Sequence, residues 1–157
     1  WMHLRPADEQ NPFKLVFGAR SEHVQQIITE MKSKVEGAGA AAKFIYSGHG
    51  DWNYLDVVCP GAGKLEAMLY VRRRLGFGAN CTVACGDSGN DILMLSGEER
   101  GVVVGNAQAG LLDWVERYKQ GDEGRQADVG SRLFCATEGH AKGILQGLRH
   151  MGFAHQA

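Results

Sequence analysis

The 157 residues carry 17 Lys and Arg against 18 Asp and Glu, a formal charge of −1 at pH 7, and 44% hydrophobic residues. That is chain enough for one ordinary domain or parts of two small ones, with a normal share of apolar residues for a core. Near-neutral charge without a basic stripe interleaved with aromatics excludes the electrostatic footprint of a nucleic-acid partner, and no apolar run approaches the ~20 residues of a membrane span.

Residues 1–12 are polar, contain Pro6 and Pro12, and read as an entry linker. Trp1 stands where an initiator Met would, which indicates a piece of a longer chain, and the opening residues lack the layout of a secretory signal. Residues 13–17 alternate with the period of a half-buried strand. Ser21 and Glu22 start a helix whose Val24, Ile27, Ile28, Met31 and Val35 share one face, and Gly37 and Gly39 end it. Residues 43–46 form a second strand, the Gly-rich stretch 47–53 a turn, and 54–58 a third strand antiparallel to the second.

Pro60-Gly61-Ala62-Gly63 breaks the chain and opens a helix over 64–74. Beyond it the pattern changes to strand–helix units, 81–85 with 91–96, 101–104 with 109–119, and 132–136 with 139–151. Residues 120–131 read as a long solvated loop. Apolar runs alternating with helical patterns predict a parallel sheet with helices packed on it. The fold class is therefore α/β: the C-terminal half of a Rossmann-like parallel-sheet core over 61–157, preceded by part of an α+β cap over 1–60.

Cys59, Cys81, Cys85 and Cys135 form no C-x-x-C pair, and three of them sit in apolar runs. They read as buried structural thiols of a reducing, cytoplasmic protein. The six histidines show no ligand spacing and read as surface or packing residues.

The chemistry concentrates in residues 86–91, Gly-Asp-Ser-Gly-Asn-Asp, directly after the apolar run 81–85. Such a string delivers carboxylates to the carboxyl edge of a parallel strand, where ligands of open α/β sheets gather. Asp87 falls at the strand tip and Asp91 at the opening turn of the next helix. Two acids so placed can share a hard cation such as Mg²⁺; the bland alternative is a solvated turn in which Ser88 or Asn90 caps the helix. Lys64 heads the Pro-Gly-Ala-Gly-Lys helix, where a lysine can neutralise a phosphoryl group. Leu65 follows it, so the string is not a Walker loop.

Lys64 and Gly86–Asp91 together resemble the third and fourth motifs of haloacid dehalogenase-like phosphohydrolases, and most closely those of the sucrose-phosphate phosphatase group. Similar strings run in order along nearly the whole chain: Ile45-Tyr46-Ser47, Leu55-Asp56-Val57-Val58, Gly61-Ala62-Gly63-Lys64, residues 85–91, residues 101–108, Leu111-Leu112-Asp113-Trp114, and Ala136-Thr137-Glu138 ahead of Gly143-Ile144. The resemblance implies hydrolysis of sucrose 6-phosphate through an aspartyl-phosphate, with Mg²⁺ as cofactor and sucrose-phosphate synthase as a candidate protein partner. On matching positions Lys64 would steady the phosphoryl group, Asp87 would ligate the metal directly, Asp91 would support the metal shell, and Asn90 would donate to the phosphoryl group or adjoining sugar.

The nucleophile motif of that family, Asp-x-Asp, is missing, since the aspartates at 8, 51, 56, 87, 91, 113, 122 and 128 include no pair two apart. The chain alone is thus expected to be inactive, its nucleophile lying on an upstream strand that pairs with 81–85. The 47–53 turn is longer than the family pattern, and Leu65 stands where glycine is usual, so sugar preference is open. The alternatives are a phosphatase for another phosphosugar and a non-catalytic phosphatase-like domain of a sucrose-phosphate synthase.

Overall fold

The computed structural model describes residues 1–48, 50–120 and 132–154, and the chain divides into two compact units, Trp1–Gly63 and Lys64–Ala157. The first unit is an antiparallel sheet of β1 (Met2–Leu4), β2 (Lys14–Arg20), β3 (Lys43–Ser47) and β4 (Trp52–Val58), in the order β1-β2-β4-β3. Helix α1 (Val24–Gly37) buries Val24 and Ile27 against Ala19 and Leu55 of the sheet, with Phe17, Met31 and Phe44 around them. Alternation explains the choice of face: Phe17 and Ala19 on β2 stand opposite Leu55 and Asn53 on β4. Burying one such aliphatic side chain contributes about 1.5–3 kcal/mol.

Residues 1–12 are not a linker. Met2–Leu4 pairs with β2 as an edge strand, Met2 opposite Ala19 and Leu4 opposite Phe17, and the Gln10 side chain accepts from Val16 N at 2.8 Å and donates to Val16 O at 3.0 Å. All three β1 residues stay exposed, so the strand is held by backbone pairing and leaves no burial signal in its sequence. β2 also runs three residues past the expected stretch, and a 3₁₀ turn at Ser21–His23 delays α1 to Val24.

The second unit is a parallel sheet of β5 (Val83–Gly86), β6 (Arg100–Val103) and β7 (Leu133–Cys135) in that order. Its described residues include the helices α2 (Lys64–Leu75), α3 (Ile92–Leu95), α4 (Ala109–Gln120) and α5 (His140–His150). One face of the sheet packs Ala84, Val103 and Leu133 with Leu95, Leu111, Trp114, Val115 and Tyr118. On the other, Val102, Val104 and Ala136 meet Ile144 of α5. Cover on both faces is what lets parallel strands read as unbroken apolar runs. α5 comes close because position 147 is glycine; a Cβ there would lie 2.4 Å from Val102 Cγ2.

The expected loop at 120–131 lies, beyond Gln120, outside the described residues. The cysteines depart from expectation: Cys59, Cys81 and Cys135 are exposed and only Cys85 is half-buried. Cys59 falls just beyond β4, Cys81 in a 3₁₀ turn ahead of β5, and Cys135 at the last position of β7. Among the described residues no helix is long and apolar enough to cross a membrane.

Candidate active site

Because β5 and β6 are parallel neighbours, the residues that follow them emerge at one edge of the sheet. Asp87 leaves β5 directly and Asn106 follows β6 by three residues. Val104 N donates to Gly86 O at 3.2 Å, and Gln108 N donates to Asp87 O at 2.8 Å. These bonds fix the Asp87 backbone from the β6 side.

Asp91 fixes it from the other. Its carboxylate accepts from Asp87 N at 3.0 Å and Ser88 N at 3.2 Å through Oδ2, while Oδ1 accepts from Lys64 Nζ at 2.5 Å. Ser88 and Asp91 form a capping box over the 3₁₀ turn Gly89–Asp91 that leads into α3. The turn is capped by Ser88 and partly exposed at Asp87 and Gly89, but Asp91 beneath it is buried, 3% exposed. Gly86 makes room for it, since a Cβ there would lie 2.5 Å from Asp91 Cβ.

Lys64 reaches this turn as the first residue of α2. Gly63, just ahead, sits at φ 143°, a backbone conformation that side chains disfavour. Lys64 Nζ also donates to Asn90 Oδ1 at 2.8 Å, and Ser88 Oγ donates to the same oxygen at 2.9 Å. The Asn90 carbonyl therefore faces the lysine, which leaves its NH₂ as the donor for a ligand.

Asp87 is different. Its side chain is exposed and makes no hydrogen bond or ion pair among the described residues. It borders a cavity of about 310 Å³ whose lining includes Lys64, Asp91, Asn106 and His140. Lys64, Asp87 and Asp91 therefore share one concavity; Asn90, bonded to the lysine, is not among its lining residues. Cys85 also lines it, and burial raises its thiol pKa.

His140 was not singled out by the sequence, where it reads as one of six scattered histidines. It is the one non-glycine residue at positive φ, 51°, among the described residues. Its amide donates to Asn106 Oδ1 at 2.6 Å, so the loop after β6 holds the start of α5. Gly139 permits the approach, because a Cβ there would come within 3.0 Å of Asn106 Oδ1. The only sequence signal was its place behind Thr-Glu-Gly after a strand.

The site offers a divalent cation one carboxylate that is unpaired among the described residues, Asp87. Among the described residues no three His, Cys, Asp or Glu side chains cluster as a ligand set. Mg²⁺ does not need one: it keeps several waters and is held by one or two carboxylates plus substrate phosphate. Asp87 fits that role, and Asp91, its oxygens already occupied, fits as the group beneath it.

The family description Sucrose-6F-phosphate phosphohydrolase matches residues 2–152. The chain belongs to that family. It is 36% identical over 151 residues to Sucrose-phosphatase 2 of Nicotiana tabacum, covering 94% of this chain and 33% of that protein. It is 31% identical over 124 residues to the mannosylfructose-phosphate phosphatase of Agrobacterium fabrum, covering 78% of this chain and 44% of that one. The solved sucrose-phosphatase of Synechocystis sp. PCC6803, in complex with sucrose and phosphate, superposes with a TM-score of 0.75 at 28% identity, over 98% of this chain and 58% of that one. Structural neighbours at lower identity share the haloacid dehalogenase fold. The chain spans about a third of the length of the sucrose-phosphatases it matches.

Proposed function

We propose that this chain supplies the phosphate-binding and metal-binding half of a phosphosugar phosphatase, with sucrose 6-phosphate as substrate. The observation that carries the reading is the contrast between Asp91, buried and bonded to Lys64, and Asp87 beside it, exposed and without a side-chain partner among the described residues. In this reading the parent enzyme breaks the bond between phosphorus and the sugar oxygen. A carboxylate outside this sequence attacks phosphorus to form an aspartyl-phosphate, a second acid protonates the departing sugar oxygen, and water then releases phosphate. Units 1 and 2 correspond to part of a cap and the C-terminal half of the core.

The residues of this chain act by position and charge. Lys64 Nζ, anchored on Asp91, sets one positive charge against the phosphoryl oxygens, and the Asn90 NH₂ adds a neutral donor; such donors contribute most when held in place before the reaction. Asp87 would hold Mg²⁺, with Asp91 fixing its backbone. When bound, the cation offsets charge on the phosphoryl oxygens. That offset is needed, because two carboxylates and a phosphate dianion outweigh one lysine. The reading places the protein in the cytoplasm, with sucrose-phosphate synthase as a candidate partner.

The test uses the full-length protein with sucrose 6-phosphate and Mg²⁺. Asp87→Asn should cut turnover by orders of magnitude and weaken the dependence on Mg²⁺. Lys64→Ala should lower kcat by about 10²–10³-fold, the scale of one lost transition-state donor. Unchanged kinetics in either folded variant defeats the assignment at that position. Mannosylfructose phosphate, suggested by the Agrobacterium fabrum relative, is the competing substrate. No turnover of any phosphosugar, with a glycosyltransferase domain upstream, would favour the non-catalytic module.

A further inference from the structure

Helix α2, which carries Lys64, has no buried residue. Packing alone therefore holds it loosely; among the described residues Met68 is the apolar side chain of the helix set against the core cluster. A groove of about 490 Å³ runs beside it, lined in part by Leu65, Leu69, Arg72 and Glu99. Two ion pairs tie the helix to the rest of its unit. Lys64 bonds Asp91, and Arg72, about 12 Å further along at 1.5 Å per residue, pairs through Nη1 with Glu99 Oε1.

Both acids lie on the same stretch, the connection from β5 to β6. Glu99 is 1% exposed, and its Oε2 has no hydrogen-bond partner among the described residues. Arg72 is thus the charge that compensates this buried carboxylate. Gly97 gives the carboxylate its space, since a Cβ there would lie 2.4 Å from Oε2. A second arginine holds the backbone of the same stretch: Arg132 donates to Glu99 O at 2.6 Å and to Leu95 O at 2.8 Å. The segment that presents Asp91 is clamped, and Arg72 locks α2 to it.

We propose that Arg72 and Glu99 are a positioning pair for Lys64, setting where along the 91–99 segment the helix, and therefore the phosphate-facing ammonium, comes to rest. Neither residue is among those lining the phosphate cavity; they act through α2. The inference rests on the phosphatase reading only for the role of Lys64, not for its geometry.

The test reads Lys64 directly in this chain, by acetylation at each lysine followed by mass spectrometry, with exposed Lys142 as internal reference. An amine held by two oxygen acceptors acylates slowly. Arg72→Met and Glu99→Gln should each raise the Lys64-to-Lys142 labelling ratio severalfold, and Arg72→Lys should restore most of the wild-type ratio. A ratio that stays at the wild-type value in both disrupted variants overturns the proposal. So does a uniform rise at every lysine, which marks a merely structural pair. Protection of wild-type Lys64 by orthophosphate is scored separately: its absence tells against the phosphate-site reading and leaves the positioning result intact.

Discussion

Asp91→Ala should destabilise the second unit far more than Asp87→Ala, although the two residues are four apart in one turn. The Asp91 carboxylate accepts two backbone amides, at 3.0 and 3.2 Å, and the Lys64 ammonium at 2.5 Å. Each amide bond to a charged acceptor is worth about 1.5–3 kcal/mol. The Lys64 side chain is 53% exposed, so it rehydrates when the acid is removed, and its share falls to the ~0–1 kcal/mol of a surface pair. The Ser88 hydroxyl keeps Asn90 as a partner. Water recovers part of the two amide bonds at an edge this open, so the net cost is about 2–4 kcal/mol. Asp87→Ala removes an exposed side chain without partners among the described residues and should stay within about 0.5 kcal/mol. Urea unfolding followed by Trp114 fluorescence, with Trp1 and Trp52 replaced by Phe, reads this unit, since Trp114 is buried in its core. Equal losses for the two variants, or a loss below about 0.5 kcal/mol for Asp91→Ala, would refute the reasoning.

Gly86→Ala should cost about 1–3 kcal/mol by overpacking against the Asp91 side chain, whereas Gly89→Ala, with nothing within 4 Å of the added methyl, should be nearly neutral; thermal melts of the pair decide it. Cys85, half-buried and with its thiol pushed up by burial, should react with iodoacetamide at pH 8 more slowly than exposed Cys59, Cys81 and Cys135; peptide mapping checks the order. The Glu9 carboxyl lies below its ordinary value, chiefly through the hydrogen bond from Arg5, with burial opposing. A depressed pKa contributes stability above the unfolded value near ~4.3 and loses it as pH falls through the folded value, so Arg5→Met should flatten that part of the acid limb and return the Glu9 NMR titration to its ordinary position.

The parallel half of the fold was legible because both faces of its sheet are covered. Val83, Val102, Val103 and Leu133 are apolar whichever way they point, and a run of such residues cannot be mistaken for a loop. Edge strand β1 was not legible, because Met2, His3 and Leu4 are all exposed and their pairing is a backbone matter. The exposed cysteines mislead for a related reason: an apolar run marks a strand, but not the positions where it starts and stops. In the site, Asp87, Asn90 and Asp91 stood out by residue type at short spacing, and Lys64 by its place behind Pro-Gly-Ala-Gly at the head of a helix. His140 did not, since its place depends on a hydrogen bond to Asn106, 34 residues away. Arg72 and Glu99 were silent too; nothing in an Arg-Arg-Arg run or a Gly-Glu-Glu turn announces a buried pair.

Asp87 and Asp91 are the same chemical group, and environment alone assigns them different work. Asp91 lies under the turn, where the amides of residues 87 and 88 converge and Lys64 arrives from α2. Its charge is consumed in holding that geometry. Asp87 lies at the tip of β5 with its own amide and carbonyl already bonded, so its position is fixed without using its side chain. A carboxylate held through its backbone leaves its oxygens uncommitted among the described residues, and a lysine held by a buried acid keeps its direction. Exchanging the two roles would need a different backbone, which is why a six-residue string with glycines at its first and fourth positions carries so much of the site.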